Sequence, residues 1–153
     1  MISHEAIEKI KKITREFFEK TSFELEIEFL PVKEETLPVK IQTEEPQILI
    51  GEGGQTLAEI QHLLKVVLKK EIQEPFYIDL DINGYKEKKI NYLKEMARSS
   101  ADEVALSKKE KMLAPMPAYE RRIIHLELAD RSDVVSESIG KEPERRVVIR
   151  SYP

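Results

Sequence analysis

The stretch PQILIGEGGQTLAEI, residues 46–60, places a glycine-rich loop directly before a helix. Pro46 suits the first turn of a short helix over residues 47–50. After the loop Gly51–Gly54, apolar residues recur every three or four positions, as they do on one face of a helix. Glycines let a backbone approach a ligand closely, and a helix N-terminus offers free N–H groups to an anion. The stretch predicts a helix–loop–helix unit that suits phosphate.

Hydrophobic patterns on either side of this loop predict the elements around it. Residues 3–20 carry the apolar stripe of an amphipathic helix, with Ser3 as its N-cap. Apolar and polar residues alternate over 23–29, 37–42 and 76–82, which predicts three strands. The first half therefore has the predicted order α-β-β-α-α-β.

A turn and a second set of elements follow. Asn83-Gly84 is a common hairpin sequence, but the pattern after it is helical, which indicates a strand-to-helix turn. A long helix over 85–109 joins the halves, and a second helix begins near Pro117. Short strands are predicted at residues 111–114, 134–139 and 146–152. The predicted fold class is α+β, with one domain over 1–83 and another over 84–153.

Composition limits the classes of function. A chain of 153 residues that is 41% hydrophobic can bury one ordinary core or two small ones. It has no cysteine, which excludes disulfides and thiolate metal sites. No apolar run approaches the roughly 18 residues of a membrane helix, so we expect a cytoplasmic protein without membrane insertion.

Charge is unevenly distributed between the two halves. Residues 1–83 hold 10 Lys and Arg against 17 Asp and Glu, a balance of −7. Residues 84–153 hold 15 against 12, a balance of +3. Because local basic patches drive binding to nucleic acids, the second half is the expected electrostatic footprint.

An Arg-x-x-x-His pair lies in the basic half. Arg121 and His125 are one helical turn apart and share a helix face. Arginine offers a bidentate fork to phosphate, and histidine offers a second donor, cationic below its pKa, or a ring on which a base can stack. Arg122, Arg145 and Arg146 are expected to assist. The alternative is a structural network that ties this helix to the neighbouring strands.

Two resemblances join these features. The first half, with its Gly-x-x-Gly loop, resembles a KH domain of type II topology. The residues from Tyr92 onward resemble the R-three-H domain, through the segments Leu113–Met116, Tyr119–His125 and Arg145–Ile149. A KH domain followed directly by an R-three-H domain resembles the Jag (SpoIIIJ-associated) family of bacterial RNA-binding proteins.

The resemblance implies a noncatalytic protein that binds single-stranded RNA, or single-stranded DNA, with both modules on one strand. It implies no cofactor and no metal. The residues expected to contact RNA are Ile50, Gly51, Glu52, Gly53, Gly54, Gln55, Thr56, Arg121, Arg122, His125, Arg145 and Arg146.

Two departures from the family pattern affect what it implies. The family often carries a further N-terminal domain, whereas this chain starts at the KH helix, so functions of that domain are not implied. KH loops usually place a basic residue between the outer glycines, and here Glu52-Gly53 stands there. A carboxylate repels phosphate, by about 1–2 kcal/mol relative to lysine. The alternative function is a protein-interaction scaffold whose acidic KH half has lost RNA binding.

Other candidate chemistry is weaker. Asp79-x-Asp81 could suggest a metal site, but both residues lie on the polar face of a strand without a further ligand at suitable spacing. A metal-free nuclease using Arg121 and His125 is conceivable, although His125 has no evident catalytic partner.

Overall fold

The computed structural model describes residues 1–153 and divides them into two units. Unit 1 is Met1–Lys86, and unit 2 is Glu87–Pro153. Both combine helices with a small sheet of three strands, which confirms the α+β class.

Unit 1 has the element order predicted from the sequence. Its elements are α1 (His4–Glu19), β1 (Glu26–Phe29), β2 (Thr36–Gln42), α2 (Pro46–Ile50), a 3₁₀ turn (Glu52–Gly54), α3 (Gln55–Glu71) and β3 (Tyr77–Ile82). The strands form a sheet in the order β1-β2-β3, with β1 antiparallel and β3 parallel to β2.

Helices α1 and α3 supply much of the core of unit 1. Ser3 is the N-cap of α1, because its Oγ accepts a hydrogen bond from the Ala6 N–H at 3.2 Å. The helices and the sheet bury one continuous apolar cluster. Its most deeply buried members include Ile10, Val39, Ile41, Leu64, Leu68, Leu80 and Ile82.

β1 is shorter than predicted. The sequence predicted a strand over 23–29, whereas the strand is Glu26–Phe29. Glu26 pairs with Gln42, the last residue of β2, so residues 23–25 extend past the end of their partner. Apolar and polar side chains still alternate over residues 23–25, but the backbone there has no partner strand with which to form hydrogen bonds.

The strand-to-helix turn after β3 is confirmed. Asn83 and Gly84 have φ angles of +50° and +69°. The Asn83 side chain accepts from the Thr43 N–H at 2.9 Å and donates to the Thr43 carbonyl at 2.8 Å. In this pair of bonds the Asn83 side chain takes the place that a second backbone strand would have in a sheet. The bonds hold the turn against the end of β2.

Unit 2 is built on a long helix. Its elements are α4 (Tyr85–Ser107, whose first two residues are counted in unit 1), β4 (Lys111–Met112), α5 (Ala118–Leu128), β5 (Val134–Ile139) and β6 (Arg146–Ser151). The sheet order is β4-β6-β5, antiparallel throughout. A second apolar cluster joins α4, α5 and this sheet, and it includes Leu93, Ala97, Val104, Ile124, Val147 and Ile149.

Some predicted ends in unit 2 differ from the structure. β4 covers two residues rather than 111–114, and α4 ends at Ser107 rather than 109. The predicted start of α5 near Pro117 is confirmed, because Pro117 is its N-cap. No helix has both the length and the apolar character needed to cross a bilayer.

Candidate nucleic-acid interface

The glycine loop of unit 1 depends on glycine at specific positions. Gly51 has φ +73° and ψ 179°, a backbone region that is essentially restricted to glycine. A Cβ there would lie 2.1 Å from the Thr56 Oγ1. Gly54 has φ +82°, and a Cβ there would lie 2.9 Å from the ring of Tyr85. Gly53 also has a positive φ, but it faces open space.

The same loop brings together all seven residues that the sequence selected in unit 1. Ile50 packs on the core, Thr56 lies against Gly51, and Gln55 donates to Glu59 at 3.2 Å. Gly54, the N-cap of α3, provides no side-chain acceptor to the first turn of the helix. Glu52 is exposed and carries the loop's only formal charge. The loop presents backbone rather than cationic side chains.

Arg121 in unit 2 lies in a structural network. It is 7% exposed, and its guanidinium donates to the Met116 carbonyl at 3.2 Å and to the Glu142 carboxylate at 2.7 Å. These bonds join α5 to the segment before it and to the loop between β5 and β6. The geometry therefore corresponds to the alternative stated for Arg121, a tie between this helix and its neighbours.

His125 is held by two serines of β5. Its Nδ1 lies 2.7 Å from the Ser136 Oγ, and its Nε2 lies 2.8 Å from the Ser138 Oγ. Burial, and then the positive charge of Arg121, lower the pKa of His125 from its usual 6.5. The ring is therefore neutral at neutral pH, and a role for His125 as a phosphate-binding cation is confined to lower pH.

The remaining selected arginines differ in their contacts. Arg122 is exposed and makes no hydrogen bond or ion pair with the protein. Arg145 donates to the Gly140 carbonyl at 2.7 Å. The Arg146 guanidinium donates to the backbone carbonyl of Glu144 at 3.4 Å and forms an ion pair with the Glu144 carboxylate at 3.6 Å.

A groove beside α5 brings some of these residues together. His125, Ser136, Ser138 and Arg145 line it, with aliphatic side chains of α5 and β5. Arg122 lies one turn from His125 on the same helix. The groove thus combines a neutral polar cluster with a guanidinium.

Sequence reasoning missed three residues of this region, Ser136, Ser138 and Glu142. A signal for the serines exists: they alternate with exposed residues after the buried Val134, which puts both hydroxyls on the face that turns toward the core. Two hydroxyls on such a face call for a polar partner. Glu142 carries no comparable signal, because its contact with Arg121 depends on how the loop folds.

The aspartates considered for a metal have partners within unit 1. Asp79 forms an ion pair with the Lys86 ammonium, and Asp81 accepts from the Lys86 N–H at 3.1 Å. Asp81 thereby satisfies a free N–H in the first turn of α4.

Comparison with known proteins identifies relatives of the chain. Residues 91–151 match the R-three-H domain. A protein of Clostridium symbiosum named RNA-binding protein KhpB is 37% identical over 116 residues, which are 76% of this chain and 52% of the relative. The chain contains an R-three-H domain and is Jag-like in sequence.

Other KhpB proteins show similar coverage of the Jag-like chain. The relative from Lactiplantibacillus plantarum is 35% identical over 72% of this chain and 34% of its own length. The relative from Bacillus subtilis is 32% identical over 74% of this chain and 56% of its own length. The matches thus span between about a third and a little over half of these relatives. The R-three-H match contains the residues of α5 and β5 that line the groove, together with Arg145.

Proposed function

We propose that this Jag-like chain binds single-stranded RNA and has no catalytic activity. The observation that carries the proposal is the groove of His125, Ser136, Ser138 and Arg145 within the R-three-H domain. The relatives named RNA-binding protein KhpB support the ligand class. We propose that the protein acts in the cytoplasm. We also propose two domains, one over residues 1–83 and the other over residues 84–153.

Phosphate contact falls to Arg122, which is exposed, and to Arg145 and Arg146, which are partly exposed. Arg122 has no partner in the protein, and Arg145 is held only through a backbone carbonyl, so both guanidinium groups retain free donors. Arg146 assists from the start of β6. Arg121 acts indirectly, because it fixes α5 and the β5–β6 loop on which the other residues stand.

Unit 1 is proposed as a KH domain that adds backbone contacts. Its element order and its sheet, in which β2 lies parallel to β3, agree with this assignment. The glycines allow close approach, while Ile50, Gln55 and Thr56 offer an apolar flank and polar groups. Two weak modules on one strand gain affinity because binding by one raises the effective concentration at the other.

The surroundings of His125 support a noncatalytic function. In a catalytic triad, a serine hydroxyl contacts one ring nitrogen of a histidine, and a carboxylate orients the histidine through the other ring nitrogen. Here a second serine takes the place of that carboxylate. A ring with a lowered pKa and no acid behind it is a weak general base.

The test is fluorescence anisotropy of a labelled single-stranded RNA at several salt concentrations. We compare the wild type with R122A/R145A, and with K109A as a control. Lys109 is an exposed cation of unit 2 whose ammonium makes no hydrogen bond or ion pair, and it does not line the groove. We expect the double variant to lose about tenfold or more in affinity, and its salt slope to fall by about 0.7 for each lost contact. An equal loss for each charge removed in K109A would show a nonspecific charge effect and contradict the proposed surface.

E52K tests the contribution of unit 1 in the same assay. The substitution replaces an exposed carboxylate in the glycine loop by a cation, so affinity should rise about tenfold if RNA contacts the loop. An unchanged affinity would remove the loop from the RNA surface.

The second candidate function is a scaffold for a protein partner. Glu24, Glu26, Glu28 and Glu52 of unit 1 are exposed, and this acidity disfavours RNA there. If the wild type binds no RNA at tens of micromolar in the anisotropy assay, the scaffold becomes the leading function.

A further inference from the structure

The cluster of Ser136, His125 and Ser138 has a fixed hydrogen-bonding capacity. A neutral imidazole has one N–H donor and one nitrogen acceptor. One serine must therefore donate to the bare nitrogen, and the other accepts from the N–H. Neither hydroxyl makes another hydrogen bond, so the accepting serine keeps its own O–H free, whichever tautomer is present.

This cluster thus offers a ligand one O–H donor together with serine lone pairs. Phosphate accepts hydrogen bonds but donates none, so it would use only half of this capacity. A neutral group that both donates and accepts would use all of it. In a single-stranded nucleic acid, such groups are the ribose 2′-hydroxyl and the polar edges of the bases.

The lining of the groove favours the ribose over a base. Unstacked bases are usually held on aromatic rings or on guanidinium planes. No Phe, Tyr or Trp lines this groove, and both nitrogens of its one aromatic ring, that of His125, are bonded to serines. Arg131 is already bonded to Asp133 and Asp102. Glu137 is paired with Arg150, so its charge is compensated. Arg145 remains for a phosphate, which in a nucleic acid adjoins the sugar.

Building on the proposed RNA binding, we propose that Ser136 and Ser138, held in place by His125, contact a ribose 2′-hydroxyl and make the R-three-H groove prefer RNA to single-stranded DNA. The serines are specificity-determining residues, and His125 positions them. Arg145 binds the adjacent phosphate and contributes equally to both nucleic acids.

The experiment measures affinities for oligouridylate, oligodeoxyuridylate and 2′-O-methyl oligouridylate by anisotropy at one salt concentration. These probes share their bases and differ only at the 2′ position. The wild type should bind the ribose form about five- to tenfold more tightly than either of the others, as expected for one or two neutral hydrogen bonds. S136A and S138A should lose this preference while they keep the affinity for oligodeoxyuridylate, which also reports that they are folded. R122A, the control, should weaken all three probes by the same factor.

Several outcomes would overturn the inference. Equal wild-type affinity for the ribose and deoxyribose probes would reject it while RNA binding itself stands. A ribose preference that survives in both serine variants would place the discrimination elsewhere in the chain. A preference among oligouridylate, oligoadenylate and oligocytidylate that the serine variants abolish, without change in the ribose preference, would assign the cluster to a base edge. Absence of binding to every probe would reject the proposed function together with the inference.

Discussion

The glycine loop of unit 1 and the groove of unit 2 form polar surfaces by opposite means. The loop exposes backbone because three of its residues are glycines with positive φ, and two of these have no room for a Cβ. In and beside the groove, polar side chains bond to one another: His125 contacts the two serines, and Arg121 next to the groove contacts Glu142. The loop should therefore be sensitive to any added atom, and the groove to any lost partner.

The largest effect should follow from adding a methyl group to the loop. G51A forces a side chain into a glycine-only region of φ and ψ and against Thr56, so we expect unit 1 to lose about 3 kcal/mol of unfolding free energy. G53A, the matched control, faces open space and should cost about 1 kcal/mol. Urea unfolding followed by hydrogen exchange in α3 measures both. Similar losses in the two variants would mean that the loop relaxes around an added Cβ.

Next in size is the loss of a partner in unit 2. R121A leaves the Met116 carbonyl and the Glu142 carboxylate without their donor, and it should lower the unfolding free energy of unit 2 by about 2 kcal/mol. The adjacent R122A removes a side chain without protein contacts and should change stability by less than about 0.5 kcal/mol. RNA affinity should still fall in R122A. If R121A weakens RNA binding but leaves stability intact, Arg121 is a direct contact and the contrast with Arg122 disappears.

The smallest effect concerns the protonation of His125. Its pKa is lowered in the folded protein, so between the unfolded and folded pKa values the unfolded chain binds more protons. The stability contribution is complete above about pH 6.5 and is lost as the pH falls from there toward the folded pKa. One proton limits the slope to about 1.4 kcal/mol per pH unit, and the partial exposure of the ring reduces it further. H125Q cannot titrate and should flatten this part of the curve. An unchanged curve would assign the proton uptake to other groups.

Periodicity predicted most elements because each buries one face. The stripes of α1 and α3 and the alternation in β2 and β3 are local signals, and those elements lie close to their predicted positions. Where an element ends depends on its partner, which explains the shorter β1: residues 23–25 alternate as a strand does, but β2 ends opposite Glu26. A local sequence pattern therefore cannot predict where such a strand ends.

The candidate site was predictable in position and less so in contacts. Spacing placed Arg121 and His125 on one face of α5, which is where they lie. Spacing does not say whether that face turns toward solvent or toward the rest of the fold, and the answer depends on Glu142, Ser136 and Ser138, which are between 11 and 21 residues away. The glycine loop needed less such information, since Gly51 is constrained by its own backbone and by the nearby Thr56, and only the contact of Gly54 with Tyr85 is distant in sequence.

The turn between β3 and α4 has a consequence for the chemical lifetime of the protein. Asn-Gly sequences are prone to deamidation, in which the following peptide nitrogen attacks the asparagine side-chain carbonyl. At Asn83 that amide is held on both sides by the backbone of Thr43. Conversion to aspartate would set an oxygen against the Thr43 carbonyl and break the clamp. In the folded chain, the hydrogen bonds to Thr43 thus protect the Asn83 side chain from deamidation. A partly unfolded chain would lose that protection.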